Sequence, residues 1–124
     1  MNDENTIHII IEGELTDFNT FDKAARTNKF VAGKIKKEET DRVAWECKKT
    51  HHGANLEFPV HISYVWYCKN ERKDIDNVAF AKKFINDGLV SAGILPDDSR
   101  KYVSGFSDEF PVDKKNPRVE IFIA

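Results

Sequence analysis

Cysteine is scarce in this chain: Cys47 and Cys68 are the only two in 124 residues. That is too few for a disulfide framework, so both are read as reduced thiols and the fold must rest on an apolar core. Long apolar runs are missing too. The longest, around residues 9–11, stops at Glu12, far short of the roughly 18 to 20 residues that a bilayer span needs, so no membrane partner is expected. Residues 1–6 carry two acids and no base. They lack the basic start and apolar stretch of a signal peptide, which makes the cytoplasm the expected compartment. Neither sign of charge dominates: 19 Lys and Arg against 21 Asp and Glu give a net charge of -2. A partner of strong charge must therefore be recognised by local clusters rather than by the average surface.

The apolar material that is present suffices for one core. Hydrophobic residues make up 40% of the chain, with 9 Phe, 3 Tyr and 2 Trp, and the length matches a single domain. Residues 6–15 read as a first strand around the β-branched Ile9-Ile10-Ile11, bounded by Gly13. Residues 20–50 turn to Ala, Lys and Glu and read as one or two helices, capped at Asn19 or Thr20, interrupted near residues 28–33 and resuming over 34–49. The apolar residues of the second helix, Ile35, Val43, Trp45 and Cys47, match a single stripe poorly. Residues 51–55 read as a turn. Residues 56–67 then alternate, with Phe58, Val60, Ile62, Tyr64 and Trp66 on one face of a strand. A helix over 77–92 places Val78, Ala81, Ile85 and Leu89 in one row and ends at Gly93 as a left-handed cap. Short strands over 101–106 and 118–123 come after it. The order strand, helices, strand, helix, strand, strand predicts an α+β fold with a mixed sheet packed against helices, in a single domain.

Charge is segregated along the chain. Residues 23–37 hold six bases (Lys23, Arg26, Lys29, Lys34, Lys36, Lys37) and no acid, while acids gather at Asp74 and Asp76, at Asp97-Asp98 and at Asp108-Glu109. Asp74 and Asp76 stand two apart where an extended segment enters a helix, so both can point one way. If the Pro96-Asp97-Asp98-Ser99 turn comes back beside the helix start, three or four carboxylates meet and need a cation. Oxygen-only ligands suit Mg²⁺ or Mn²⁺, the equipment for phosphodiester hydrolysis, with Lys83 two helical turns from Asp76 as a phosphate contact. The alternative is local: Asp as an N-cap, and Pro-Asp-Asp-Ser as an ordinary turn. A calcium loop beginning at Asp74 fails, because Ala79 falls where Gly is required and Ile85 where the bidentate Glu belongs. Cys47, His51, His52 and Cys68 include zinc donors at a spacing that fits no usual knuckle. His8, in an apolar strand, reads as a satisfied, partly buried histidine.

Asp74-Ile75-Asp76-Asn77, then Lys83-Phe84-Ile85-Asn86-Asp87, Ala92-Gly93-Ile94 and Asp97-Asp98-Ser99 resemble, in order, the motifs of the RusA-type Holliday-junction resolvases, small homodimeric endonucleases. The resemblance covers residues 73–100. It implies that residues 1–124 form one endonuclease domain, that Asp74, Asp76 and Asp98 or Asp97 hold Mg²⁺, and that Lys83 is the essential lysine. It also implies a homodimer acting on branched DNA in recombination and repair. The stretch between Asn77 and Lys83 is longer than the family pattern, which keeps Lys82 as an alternative. Of the family's N-terminal Pro-Pro-Ser-x-Asn, only Asn19 has a counterpart. A nuclease with an acidic centre needs bases for phosphate: Lys23, Arg26, Lys29, Lys34, Lys36 and Lys37, with Lys69, Arg72 and Lys73 beside the carboxylates. Phe18, Phe21 and Phe30 read as core residues before junction wedges. The tryptophans, Tyr64 and Tyr67 read as core or dimer contacts. The competing class is a non-catalytic DNA-binding replication accessory protein of the same fold.

Overall fold

A computed structural model describes residues 6–50 and 56–124. Its elements are β1 (Ile7–Glu12), α1 (Phe18–Thr27), α2 (Lys29–Thr50), β2 (Val60–Tyr67), α3 (Ile75–Ala79), α4 (Lys82–Ser91), β3 (Val103–Glu109) and β4 (Arg118–Ile123). The strands form one sheet in the order β1-β4-β2-β3. β4 runs antiparallel to both β1 and β2, while β2 and β3 are parallel. The sheet is mixed and the fold α+β, in the order read from the sequence. Alternate residues drive the packing: Ile7, Ile9 and Ile11, then Val60, Ile62, Tyr64 and Trp66, then Val119, Ile121 and Ile123 enter one core with Val43, Cys47, Phe84, Ile85 and Leu89. No helix among the described residues is long and apolar enough to cross a membrane.

Several boundaries differ from the expectation, each for a local reason. Asp17, not Asn19 or Thr20, caps α1, its carboxylate accepting from the Thr20 amide at 2.8 Å. The break between the first two helices is confined to Asn28, and α2 runs unbroken through Gly33 for 22 residues. Its weak stripe has a cause: Val43 and Cys47 are buried, whereas Phe30, Val31 and Trp45 face solvent. The helix expected over 77–92 starts earlier and is two elements. At Phe80 and Ala81 the ladder tightens, with Lys83 and Phe84 amides donating three residues back, to Phe80 and Ala81. Gly93, at φ +82°, completes a Schellman cap in which the Ile94 amide reaches the Leu89 carbonyl and the Gly93 amide that of Val90. β2 begins at Val60, since Pro59 has no amide hydrogen for the ladder, and Phe58 packs on Tyr102. The turn read at residues 51–55, with His51 and His52, lies outside the described residues.

Parallel pairing of β2 with β3 requires a crossover, which α3 and α4 provide. Both strands end on the same side, so the segment leaving β2 meets the end of β3. This is where an open crossover unit places its ligands, outside the carboxyl ends of the strands.

Candidate active site

The segment after β2 turns through Asn70, whose side chain accepts from the Arg72 amide, and enters α3 at Asp74. Lys73, just before it, is engaged within the chain: its ammonium is 2.8 Å from the Asp17 carboxylate. Burial alone would raise the Asp17 carboxyl, but Lys73 and the Thr20 amide outweigh it and hold it below the ordinary value. Lys73 in turn is raised by its bond to Asp17. Asn77 is also employed structurally, its side-chain oxygen accepting from the Asn19 amide at 2.8 Å and tying α1 to α3.

Asp74 and Asp76 are both exposed. Asp74 occupies the N-cap position of α3 without making a side-chain cap hydrogen bond, and Asp76 accepts from the adjacent Asn77 amide at 2.9 Å. The two line a pair of open concavities. One of about 480 Å³ is shared with Cys68, Glu71, Lys73 and Phe110. The other, of about 450 Å³, is shared with Phe18, Asn19, Asn77 and Phe80. Phe110 comes directly after β3, so the parallel pair does bring the end of β3 to the carboxylates.

The Asp97-Asp98 turn also returns toward the first turn of α4. Lys83 Nζ lies 3.1 Å from Asp87 and 3.6 Å from Asp98. Asp87 first, and Asp98 after it, raise the Lys83 ammonium and keep it charged. Among the described residues, however, no three His, Cys, Asp or Glu side chains form a group able to hold a metal ion. Asp74 and Asp76 come together on one surface; Asp98 is brought to Lys83 instead, and Asp97 is exposed beside it.

Lys82 is spoken for. Its ammonium bonds Asp108 at 2.7 Å and lies 4.9 and 4.8 Å from the ring centroids of Tyr64 and Phe106, and its side chain is 20% exposed against 57% for Lys83. Asp108 also accepts from the Trp66 indole at 2.9 Å. The sequence reading missed Asp108 as an inward residue because it ended the strand at 106; one more step of alternation from Phe106 would have found it.

The basic residues divide. Arg26 pairs with Asp22 at 3.0 Å, Lys34 with Glu38 at 3.9 Å and Lys37 with Asp41 at 2.8 Å, all within a helix. Lys69 reaches Glu14 at 3.9 Å. Lys23, Lys29, Lys36 and Arg72 are exposed and form no ion pair among the described residues. Of the three phenylalanines read as core, only Phe21 packs there, against Phe80 and Phe84. Phe18 is 43% and Phe30 76% exposed, and Trp45 is 63% exposed. His8 is also more open than expected; it bonds Glu120 at 2.8 Å and stacks on Phe122. Cys47 is fully buried and its thiol is pushed up to about 12 by desolvation, while Cys68 is half-buried and raised by the same cause. Burial thus favours the neutral thiol at both positions.

Compared with known proteins, the chain matches no protein-family description and no curated protein.

Proposed function

We propose that the protein is a structure-selective endodeoxyribonuclease that uses Mg²⁺, or Mn²⁺, to resolve four-way DNA junctions as a homodimer in the cytoplasm of a bacterial or phage-infected cell. Asp74 carries the proposal. It stands where an aspartate ordinarily accepts from helix amides, yet makes no such bond and leaves its carboxylate exposed beside that of Asp76. A local capping role would use that carboxylate; a ligand role needs it free. One or two carboxylates are the usual protein share of a Mg²⁺ site, with water and substrate phosphate completing it, so the pair fits the ion without a third aspartate.

When bound, such an ion would polarise the phosphate and activate water. The remaining work falls to the chain's own groups. Lys83, kept protonated by Asp87 and Asp98, is suited to donate to a phosphate oxygen and not to remove a proton. Asp98 positions that ammonium. Arg72, next to the carboxylates, and Lys23, Lys29 and Lys36 on the helices draw in the sugar-phosphate backbone.

Cleavage of a synthetic four-way junction with Mg²⁺, comparing the parent with Asp76→Asn, tests this reading. A loss of about 10²-fold or more is expected, as for removal of a principal electrostatic group; equal rates would sink the site. The competing reading is a non-catalytic DNA-binding accessory protein of the same fold. Tight junction binding by the parent with no cutting would establish it.

A further inference from the structure

Phe18 is fixed in place without being covered. Its neighbours on both sides are tied to the segment that carries Asp74 and Asp76: the Asp17 carboxylate lies 2.8 Å from the Lys73 ammonium, and the Asn19 amide donates to the Asn77 side-chain oxygen at 2.8 Å. Behind it, Phe80 and Phe84 lead into the core, with ring centroids 5.2 Å apart from Phe18 to Phe80 and 5.6 Å from Phe80 to Phe84. Phe84 is 1% exposed and Phe18 43%. The outermost ring of this row lines the concavity of about 450 Å³ that Asp74 and Asp76 also line. A core side chain is covered by its neighbours. A ring immobilised beside two carboxylates and left open is instead a preorganised surface for a flat ligand.

We infer that Phe18 is the stacking platform for one nucleobase of the DNA, the base next to the phosphate held at Asp74 and Asp76. The inference rests on the nuclease reading, which puts a phosphate there. Of the parts of a nucleotide, the base is the one that offers a flat π-face to an aromatic ring. To reach Phe18, that base must leave the duplex stack. Leaving costs least where pairing and stacking are already interrupted, as at the centre of an open four-way junction and not within continuous duplex. Phe18 thus supplies a physical reason for structure selectivity: a nucleotide that stays in its stack cannot settle its phosphate against the carboxylates. Because every base has a π-face, the platform selects branch geometry and not sequence. Phe18 is a positioning residue in this role, since it touches the base and none of the reacting atoms.

Fluorescence of 2-aminopurine, placed in turn at each nucleotide flanking the centre of a synthetic four-way junction, tests it. Ca²⁺ replaces Mg²⁺ so that the strands stay whole, and circular dichroism verifies that each variant is folded. Binding of the parent should raise the emission at one of these positions, as the base leaves its neighbours. Phe18→Leu, which keeps an apolar contact on Phe80, should bind about tenfold more weakly, by the stacking of one base, and give no rise. Phe18→Trp should bind as the parent does and quench the emission, because an indole then lies on the base. A rise undiminished in Phe18→Leu, equal affinity of that variant, or a Phe18→Trp variant as weak as Phe18→Leu would each overturn the inference. Emission and cleavage separate the two readings. A parent that cuts with Mg²⁺ but gives no Phe18-dependent signal keeps the nuclease and overturns the platform; one that stacks the base and never cuts does the reverse. A parent that binds no DNA overturns both.

Discussion

At Asp17 a helix cap and an ion pair share one carboxylate, and this sharing makes stability depend on pH. Because the group sits below its ordinary value of 3.8 in the fold, its stabilisation is complete above that value and is lost as pH falls through the native one. Asp17→Asn keeps a good capping residue but loses the charge that holds Lys73. We expect it to cost about 1.5–3 kcal/mol at neutral pH, the range for a hydrogen bond to a charged group. In thermal melts the gap to the parent should close in acid; a gap independent of pH would exclude the ion pair as its source. Deeper in the core, the Tyr64 hydroxyl donates to Asn86 at 2.6 Å, and burial pushes the phenol up. Asn86→Ala leaves that hydroxyl without its acceptor and should lower stability by about 1–3 kcal/mol in denaturant unfolding. The sequence placed Asp74 and Asp76 on an extended segment, whereas Asp76 stands in the first turn of α3, so the two share a concavity through the helix start and not through strand-like alternation. The diversion of Asp98 to Lys83 was not legible in the sequence, because it depends on the path of a turn that no local pattern specifies.

Among the elements, α2 and α4 are in close contact at Gly88. A methyl added there would stand 2.5 Å from Val43 Cγ1 and 3.1 Å from the Ala44 amide nitrogen. Gly88→Ala should therefore destabilise by about 1–3 kcal/mol, as overpacking does, despite the better helix propensity of alanine; an unchanged melting midpoint would mean that the helices can separate without cost. β2 and β4 were readable from alternation, since period-two burial leaves a period-two pattern. The division of α3 from α4 was not, because Val78, Ala81, Ile85 and Leu89 continue one apolar row across a tightened ladder. α2 was obscured for the opposite reason: Phe30, Val31 and Trp45 add apolar character to its solvent side, a signal that looks like noise until the buried side is known.

For the whole molecule, the pairing of parallel β2 and β3 decides where chemistry can occur, by setting Asp74, Asp76 and Phe110 around one concavity. If that concavity holds a divalent ion, adding Mg²⁺ should raise the parent's melting midpoint by ligand linkage and leave an Asp74→Asn, Asp76→Asn variant unmoved; equal shifts would place the ion elsewhere. Binding of branched DNA should be salt-dependent. Replacing Lys23, Lys29 and Lys36 by alanine should flatten the log-log slope by about 0.9 for each phosphate no longer neutralised, and an unchanged slope would remove these residues from the interface.

The sequence alone determined the mixed α+β order and the alternating strands β2 and β4, because these rest on short-range periodicity and backbone geometry. Only the tertiary structure decided strand order, the anchoring of Lys82 by Asp108, the pairing of Lys73 with Asp17, and which aromatics stay outside the core. Those depend on contacts between residues far apart in the chain, whose partners are chosen by packing the whole sheet against its helices.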